Sequence, residues 1–236
     1  MDVLKIDTDN SSYIFYRSVY SPVKSNMYVL IEGKEAIIVD SDVSETIWDV
    51  IREQGVGKVH LLLTHEHYDH SHGVWWWQEK VETHLYCHKN CKGQLSTKKK
   101  SSPRLVAFVI AERDKNEGTN KYEEFKKNIR EYSLEPDVLL EDSQVISIAG
   151  HQITIFHTPG HSPGSCIYLI DNAILFSGDS MIEGLKIIST FKGGNVEELQ
   201  TITLPKMKAL PNDLWVLPGH GEPFQKKDYN FDIYNV

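Results

Sequence analysis

Residues 61–70, Leu-Leu-Leu-Thr-His-Glu-His-Tyr-Asp-His, are the stretch that decides the fold and the chemistry of this chain. The three leucines predict a buried strand, and ligand-type side chains follow at once in the spacing H-x-H-x-D-H. Imidazole and carboxylate groups bind borderline divalent metals such as zinc. Because one catalytic metal uses about three protein ligands, four candidates packed this closely indicate two metals. The four candidates are His65, His67, Asp69 and His70.

Four more short motifs carry ligand-type residues. They are Asp40 after the apolar run 36–39, His161 in Thr-Pro-Gly-His, Asp179 in Ser-Gly-Asp and His220 in Pro-Gly-His-Gly. Each motif alone is weak evidence, but five in this order between residues 40 and 220 are specific. Together they resemble the metallo-β-lactamase superfamily, and the resemblance covers nearly the whole chain.

The resemblance implies a role for each residue. His65, His67 and His161 would hold one metal ion, Asp69, His70 and His220 would hold the second, and Asp179 would bridge the two. Asp40 would brace the ligand loop, and with Asp69 it is a predicted catalytic residue. We expect Zn²⁺ in both positions, with iron and manganese as alternatives. The implied nucleophile is a metal-bound hydroxide, because a coordinated water has a pKa of about 7.

Predicted strands and helices alternate in two halves of the chain. The resemblance therefore implies an αββα sandwich of two mixed β-sheets flanked by helices, formed by a single domain over residues 1–236. The pattern predicts a hairpin around Gly33, a helix over 44–54, and a helix over 195–210 that Pro205 kinks. Trp75–Trp77 are predicted to pack in the core.

An insertion at about residues 93–134 separates the second and third ligand motifs. It contains a predicted exposed loop at 96–103, an apolar stretch at 105–110 and an amphipathic helix at 121–132. Between residues 89 and 131, twelve Lys and Arg face six Asp and Glu. Long insertions in compact domains are often functional, so we expect a lid over the metals or a dimer face. A homodimer is thus one expected assembly.

Two further groups of residues carry side chains typical of binding sites. Lys186, seven residues after Asp179, is a candidate for binding an anionic substrate. His84, Cys87, His88 and Cys91 follow one another closely, but their spacing matches no closed zinc motif, so we expect no separate metal centre there.

Composition narrows the function classes. The net charge of −8 argues against a general nucleic-acid binder, and no apolar run approaches the roughly 20 residues that cross a bilayer. The first residues lack the apolar region of a signal peptide, and three cysteines make no disulfide framework. We therefore expect a cytoplasmic protein without membrane partners.

The expected reaction is hydrolysis of a small ester, thioester or lactone, since the motifs resemble those of short glyoxalase II-like (hydroxyacylglutathione hydrolase-like) proteins. Asp179 stands where zinc β-lactamases usually carry cysteine or serine, which argues against β-lactamase activity. The alternative is a phosphodiesterase or nuclease with the same dimetal site, favoured by the basic stretch 98–104. The expected partner is a small-molecule substrate, and the basic insertion suits an anionic one.

Overall fold

A computed structural model of the chain describes residues 1–97 and 103–234. Its first sheet has seven strands in the order β1-β2-β3-β4-β5-β6-β7. Neighbours are antiparallel up to β4 and parallel from β4 to β7. The strands are β1 Asp2–Asp7, β2 Ser12–Tyr20, β3 Ser25–Glu32, β4 Glu35–Val39, β5 Lys58–Leu63, β6 Glu82–His88 and β7 Val138–Leu140.

The second sheet has six strands in the order β13-β12-β11-β10-β9-β8. Only the β11–β12 pair is parallel, so this sheet is mixed as well. The strands are β8 Val145–Ile148, β9 His151–His157, β10 Cys166–Ile170, β11 Ile174–Gly178, β12 Trp215–Pro218 and β13 Phe224–Gln225.

Helices cover the outer faces of both sheets. They are α1 Glu45–Glu53, α2 Tyr68–Ser71, α3 Val74–Lys80, α4 Lys92–Leu95, α5 Arg104–Glu117, α6 Lys121–Asn128, α7 Val196–Glu198 and α8 Leu204–Ala209. A π-helical turn, Leu199–Thr203, joins α7 to α8, and short 3₁₀ turns occur at Lys89–Cys91, Lys226–Asp228 and Phe231–Tyr234. Among the described residues, no helix has the length and apolar character needed to cross a membrane.

Three apolar cores hold these layers together. Phe15, Leu62 and Phe176 belong to the core between the sheets. Trp77 is buried between the first sheet and its helices, and Met207 is buried between the second sheet and α8. The predicted αββα sandwich is therefore confirmed.

Local sequence signals explain where several elements begin and end. Gly33 has φ +61° in the β3–β4 turn, a backbone conformation that glycine adopts without a steric penalty. Ser44 caps α1 by accepting a hydrogen bond from the backbone N–H of Ile47 at 3.4 Å. The predicted helix 121–132 ends at Asn128, because the chain must then turn Tyr132 into the core.

The insertion packs against the body of the protein. Val106, Ile110 and Phe125 are buried in the first core, and the hydroxyl groups of Tyr132 and Ser71 lie 2.6 Å apart. Residues 98–102 of the predicted exposed loop lie outside the described residues. The described part of the insertion is therefore an integral layer over α2, the helix that carries Asp69 and His70.

Candidate metal centre

Five segments deliver the predicted ligands to one edge of the sandwich. The loop after β5 carries His65 and His67, and helix α2 carries Asp69 and His70. The loops after β9, β11 and β12 supply His161, Asp179 and His220. Because β4, β5, β11 and β12 end at this edge, residues far apart in sequence meet there. The structure brings together all seven predicted ligands: His65, His67, Asp69, His70, His161, Asp179 and His220.

The donor atoms form two groups. In the first, those of His65, His67 and His161 lie within 4.8 Å of one another, with His161 Nε2 3.0 Å from His67 Nδ1. In the second group, Asp69 Oδ2 lies 3.5 Å from His70 Nε2 and 3.4 Å from His220 Nε2. A third group, formed by His65, His70 and Asp179, overlaps both, so the division into the two implied ligand sets stays a prediction.

Asp179 lies between the two groups. Its Oδ2 atom is 3.4 Å from His161 Nε2, while its Oδ1 atom is 3.4 Å from His70 Nε2 and 3.5 Å from His220 Nε2. One carboxylate oxygen thus faces each group, which is the arrangement of a bridging ligand.

The donors fit divalent cations. His65 Nε2, His70 Nε2 and Asp179 Oδ1 are buried and find no hydrogen-bond partner among the described residues. Unsatisfied buried polar atoms are costly and rare in folded proteins. Tetrahedral ligands with bonds of about 2.0–2.2 Å place neighbouring donor atoms roughly 3.3–3.6 Å apart, close to the separations found here. The cluster therefore has the composition and spacing of a metal centre.

Asp40 orients two of the ligand histidines from behind. Its Oδ2 atom lies 2.8 Å from His70 Nδ1, and its carboxylate accepts hydrogen bonds from the backbone N–H and the hydroxyl of Thr64. Thr64 Oγ in turn lies 3.1 Å from His65 Nδ1. Asp40 has φ +60° at the end of β4. Asp40 lines neither cavity over the cluster; its contacts are those of a positioning residue, and its catalytic role stays a prediction.

Two glycines of the ligand motifs leave no room for a side chain. A Cβ atom on Gly219 would lie 2.5 Å from Asp179 Oδ1, and one on Gly178 would lie 2.5 Å from Thr64 Oγ. Gly178 also has φ +49°. The Gly-Asp and Gly-His sequences thus follow from the close approach of β11 and β12 to the cluster.

Burial and mutual charge set the protonation of the histidines. Burial and the neighbouring imidazoles hold the pKa of His65 well below its usual value, and burial together with His161 lowers the pKa of His67 to about 3. Burial also opposes the charged form of His70, but Asp69, Asp40 and Asp179 outweigh it and raise its pKa to about 10. His65 and His67 therefore present neutral imidazoles, while the second group is anion-rich.

Two adjacent cavities open over the cluster. One, of about 330 Å³, has His67, Asp69, His161, Asp179 and His220 at its floor. The other, of about 540 Å³, is reached past His67 and Asp69. Helix α5 lines both cavities, so the insertion forms part of their walls, and its role as a lid stays a prediction.

Lys186 lines neither cavity among the described residues. A tight turn pairs Ile182 with Leu185, after which Ile187 is buried and Lys186 is exposed. Its substrate-binding role stays a prediction without support from this geometry. Basic side chains that do line the cavities are Lys24 and Arg113 in the smaller one and Arg104 and Lys192 in the larger one.

Glu66 is a site residue that the sequence reasoning missed. It is buried between the ligands His65 and His67, and its Oε2 atom accepts hydrogen bonds from Ser162 Oγ at 3.0 Å and Cys91 Sγ at 3.5 Å. Burial raises the pKa of its carboxyl group. Glu66 thus ties the loop of His65 and His67 to the loop of His161. Its position inside H-x-H was the available signal.

The cysteine- and histidine-rich segment near β6 is differently arranged. His84 lies 3.2 Å from Glu82, and the ring of His88 stacks on His157 at 3.9 Å. Cys87 and Cys91 are buried thiols; the contact with Cys87 and burial raise the pKa of Cys91. The thiol of Cys91 is therefore held in the unreactive protonated form.

Comparisons with known proteins agree with this geometry. The family described as "Metallo-beta-lactamase superfamily" matches residues 20–220. A Bacillus subtilis (strain 168) protein named "Probable metallo-hydrolase YqgX" is 29% identical over 208 residues, which cover 87% of this chain and 89% of that protein. Human "Acyl-coenzyme A thioesterase MBLAC2" is 31% identical over 171 residues, 69% of this chain and 56% of the relative.

Two solved structures are similar over almost their whole length. The structure titled BLEG-1 B3 metallo-beta-lactamase has a TM-score of 0.69 and 26% identity, covering 91% of this chain and 95% of that one. TTHA1623 in a di-iron-bound form has a TM-score of 0.65 and 22% identity, covering 90% and 96%. The second likeness concerns the fold alone.

Proposed function

The chain belongs to the metallo-beta-lactamase superfamily, and from that premise we propose that it is a hydrolase of small esters, thioesters or lactones that works with two divalent metal ions. The observation that carries the proposal is the double donor cluster with Asp179 between its halves, at the floor of a cavity with apolar walls. When bound, the metals supply an acidified water as nucleophile and polarise the scissile carbonyl.

The protein's own groups hold and orient the reacting parts. Asp40 keeps the Nε2 atom of His70 turned toward the cluster, and the carbonyl of Ile188 does the same for His161 by accepting a hydrogen bond from Nδ1 at 2.7 Å. Asp69 reaches the floor of both cavities. Neighbouring imidazoles hold its pKa low despite burial, so its carboxylate is ionised and can accept a hydrogen bond from an attacking water.

Zinc is the metal we propose, with iron or manganese as alternatives. A donor set of imidazoles and carboxylates without sulfur suits all three, and the similar protein TTHA1623 is described in a di-iron-bound form. Elemental analysis after gentle purification should give more than one metal equivalent per chain, and Asp179→Ala should lower it. No metal at all after metal-supplemented growth would end the metallohydrolase proposal.

Apolar walls favour an acyl substrate over a phosphodiester. The smaller cavity is lined by Val23, Leu105, Val109 and Ile188 beside the donor cluster, whereas a nucleic-acid backbone is normally met by a basic groove. The similar protein MBLAC2 is named as an acyl-coenzyme A thioesterase, which adds thioesters to the candidate substrates. Hydrolysis of a glyoxalase II-type thioester fits the same site.

A phosphodiesterase is the second candidate. Arg104 and Lys192 in the lining of the larger cavity favour it, because basic side chains attract phosphate. Nucleic acid should then bind with an affinity that falls steeply as salt rises. Weak, salt-independent binding is the outcome we expect for an acyl hydrolase.

A substrate panel tests this order. The metal-loaded protein is assayed with S-lactoylglutathione, an acyl-homoserine lactone, nitrocefin and bis-p-nitrophenyl phosphate. We expect turnover of the first or second compound, and its loss in Asp179→Ala. Turnover of the phosphate diester alone would favour the second candidate. A small-molecule substrate, a cytoplasmic location and a homodimer remain parts of the proposal.

A further inference from the structure

The segment between β11 and α7 lies beside the donor cluster without regular secondary structure of its own. Residues 179–195, all within the described part of the chain, belong to no helix or strand, apart from a turn that pairs Ile182 with Leu185. The segment nevertheless lines the smaller cavity with Ile182, Leu185 and Ile188. Because its backbone forms no ladder of hydrogen bonds, its shape depends on contacts with other parts of the protein.

One backbone carbonyl of this segment contacts a predicted metal ligand. The carbonyl oxygen of Ile188 lies 2.7 Å from Nδ1 of His161. A carbonyl can only accept a hydrogen bond, so Nδ1 carries the proton and Nε2 keeps its lone pair. That Nε2 atom lies 3.0 Å from His67 Nδ1 and 3.4 Å from Asp179 Oδ2. The position of the Ile188 carbonyl therefore decides which nitrogen His161 offers to a metal.

Two tyrosine hydroxyl groups near the C-terminus hold the segment just before Ile188. Tyr234 accepts a hydrogen bond from the backbone N–H of Ile187 at 2.9 Å. Tyr229 donates one to the carbonyl oxygen of Leu185 at 3.4 Å. The two hydroxyl oxygens lie 3.1 Å apart. We call this series of contacts, from Ile187 through the two tyrosines to Leu185, the tyrosine bridge.

The protons of the tyrosine bridge follow one direction. Since the Leu185 carbonyl can only accept, the proton of Tyr229 points to it, and the oxygen of Tyr229 then accepts from Tyr234. The oxygen of Tyr234 accepts from Ile187. Burial raises the pKa of both hydroxyl groups, so both keep the protons that this arrangement needs. Every donor is thus matched with an acceptor, and both ends of the bridge lie on the same segment.

Apolar packing anchors the tyrosine bridge to the second sheet. Ile187 and Tyr229 are buried in the same core. The ring of Tyr229 lies 6.0 Å from that of Phe224 and 4.8 Å from that of Phe231, measured between centroids. Phe224 belongs to β13, the edge strand of that sheet. The tyrosines therefore link an irregular segment at the metal centre to a regular element of the fold.

We propose that Tyr234 and Tyr229 are positioning residues for the metal centre, which hold residues 185–188 so that the Ile188 carbonyl fixes the tautomer and ring orientation of His161. This rests on the proposed function, because it requires a metal at His161. In the described part of the chain, neither tyrosine lines a cavity over the cluster. They act on the centre through Ile188 and make no contact with a substrate in the smaller cavity.

Metal affinity is the first test. Tyr234→Phe removes the hydroxyl group and keeps the ring, and it should weaken binding of one of the two metal equivalents by about 3–10-fold, less than the roughly 10–100-fold cost of losing a group that contacts a ligand directly. Competition between the protein and a chelator for Zn²⁺ measures this. Tyr229→Phe should act in the same direction. The double variant should lose little more than the stronger single variant, because both hydroxyl groups belong to one bridge.

Tyr13→Phe is the matched control. Tyr13 is also buried, and its hydroxyl group lies 3.2 Å from Asp171 Oδ2. Asp171 follows β10, which runs antiparallel to β11, so this contact lies at the end of the second sheet opposite the donor cluster. The control removes a hydrogen bond of the same kind. It should leave the affinity for Zn²⁺ unchanged, even where it lowers the unfolding temperature.

The Nδ1–H proton of His161 gives a second readout, which general destabilisation does not predict. His161 is buried, and the Ile188 carbonyl holds this proton. In zinc-loaded protein with ¹⁵N-labelled histidine, it should exchange slowly with water, as measured by NMR. Exchange should be faster in Tyr234→Phe and unchanged in Tyr13→Phe. His161→Ala identifies the signal, because it removes it.

The outcomes separate this inference from the proposed function. If the unaltered protein binds no metal, the proposed function is wrong, and the inference that rests on it is wrong as well. If the unaltered protein binds two equivalents but Tyr234→Phe changes neither the affinity nor the proton exchange of His161, only the positioning role is wrong. An equal loss of affinity in Tyr13→Phe would also overturn it, since the effect would then come from general destabilisation.

Discussion

His70 Nδ1 lies 2.8 Å from Asp40 Oδ2, so Nε2 of the same ring is turned toward Asp69 and Asp179. The backbone carbonyl of His70 is also held, by the N–H of Ser41 at 2.7 Å and its hydroxyl at 3.0 Å. A ligand whose ring and backbone are both fixed loses little freedom on binding a metal. Asp40 therefore acts on the metal centre through His70.

Asp40→Asn should weaken metal binding at the Asp69–His70–His220 group by about 10–100-fold, the usual cost of losing an orienting carboxylate. Competition with a chelator measures the affinity. Asp42→Asn is the matched control, because Asp42 is a nearby buried carboxylate whose side chain, among the described residues, contacts Ser18 and His72, neither of which is a predicted ligand. Equal losses in both variants would show that the effect is general destabilisation.

Acidification should release the second metal before the first. The carboxylates raise the pKa of His70 to about 10 and that of His220 above its usual value, against burial, so a metal entering this group displaces protons at neutral pH. The pKa of His67, at about 3, and the lowered pKa of His65 leave these two ligands of the first group unprotonated. Dialysis at stepped pH from 8 to 5, followed by elemental analysis, should show loss of about one equivalent first. Simultaneous loss of both would contradict this.

The folded state of the metal-free protein should become less stable as pH rises into the alkaline range. The raised pKa of His70 means that its protonated form stabilises the folded state fully below about 6.5, the value in the unfolded chain. That contribution is lost as pH rises through about 10. Thermal unfolding of the metal-free form should therefore occur at lower temperature at pH 10 than at pH 7, and His70→Asn should reduce the difference.

Phe125→Ala should destabilise the protein by about 3–5 kcal/mol, as expected for removing a large aromatic side chain from a core. Phe125 is buried beside Tyr68, with ring centroids 6.2 Å apart. Phe108→Ala, in the same insertion but exposed, should change the free energy of unfolding by less than about 0.5 kcal/mol. Denaturant unfolding compares the two variants. Equal, small effects would mean that the insertion is a loosely attached surface segment.

Lys192→Gln should lower kcat/KM for an anionic substrate more than Lys186→Gln does. The structure puts Lys192 in the lining of the larger cavity, whereas Lys186 is exposed and lines neither. Both substitutions remove one positive charge from the same segment, so they change the long-range electrostatic field of the protein to a similar extent. A larger effect of Lys186→Gln would favour Lys186 as the residue that binds the anionic substrate, as its distance in sequence from Asp179 suggests.

The seven candidate ligands and the sandwich could be predicted from the sequence because short motifs carry the resemblance to the metallo-beta-lactamase superfamily. H-x-H-x-D-H fixes four donors within one loop and helix turn, and alternating apolar residues mark the strands. Even the interrupted helix after Asn195 left a signal: Asn195 caps it, and the π-helical turn Leu199–Thr203 directly precedes the segment with Pro205. Proline lacks the N–H that a continuous α-helix needs.

Other features depended on tertiary packing. Whether a lysine faces the cavity is decided by the turn at Ile182–Leu185, which reverses the chain before Lys186. The role of Glu66 depends on Ser162, nearly a hundred residues away. The helix predicted over 121–132 ends at Asn128 instead. Tyr132 does not continue the helix, because its hydroxyl group lies 2.6 Å from that of Ser71. Local sequence patterns cannot predict the contacts of Glu66 and Tyr132, because each joins residues far apart in the chain.

The Asp69–His70–His220 group draws its donors from both sheets, since α2 follows the first and His220 follows β12 of the second. A cation held there is therefore a cross-link that closes a loop running from residue 70 to residue 220. Cross-links that close long loops restrict the unfolded chain the most. Metal binding should therefore do more than create a nucleophile. A bound cation cross-links the two sheets of the sandwich and stabilises the folded state against their separation.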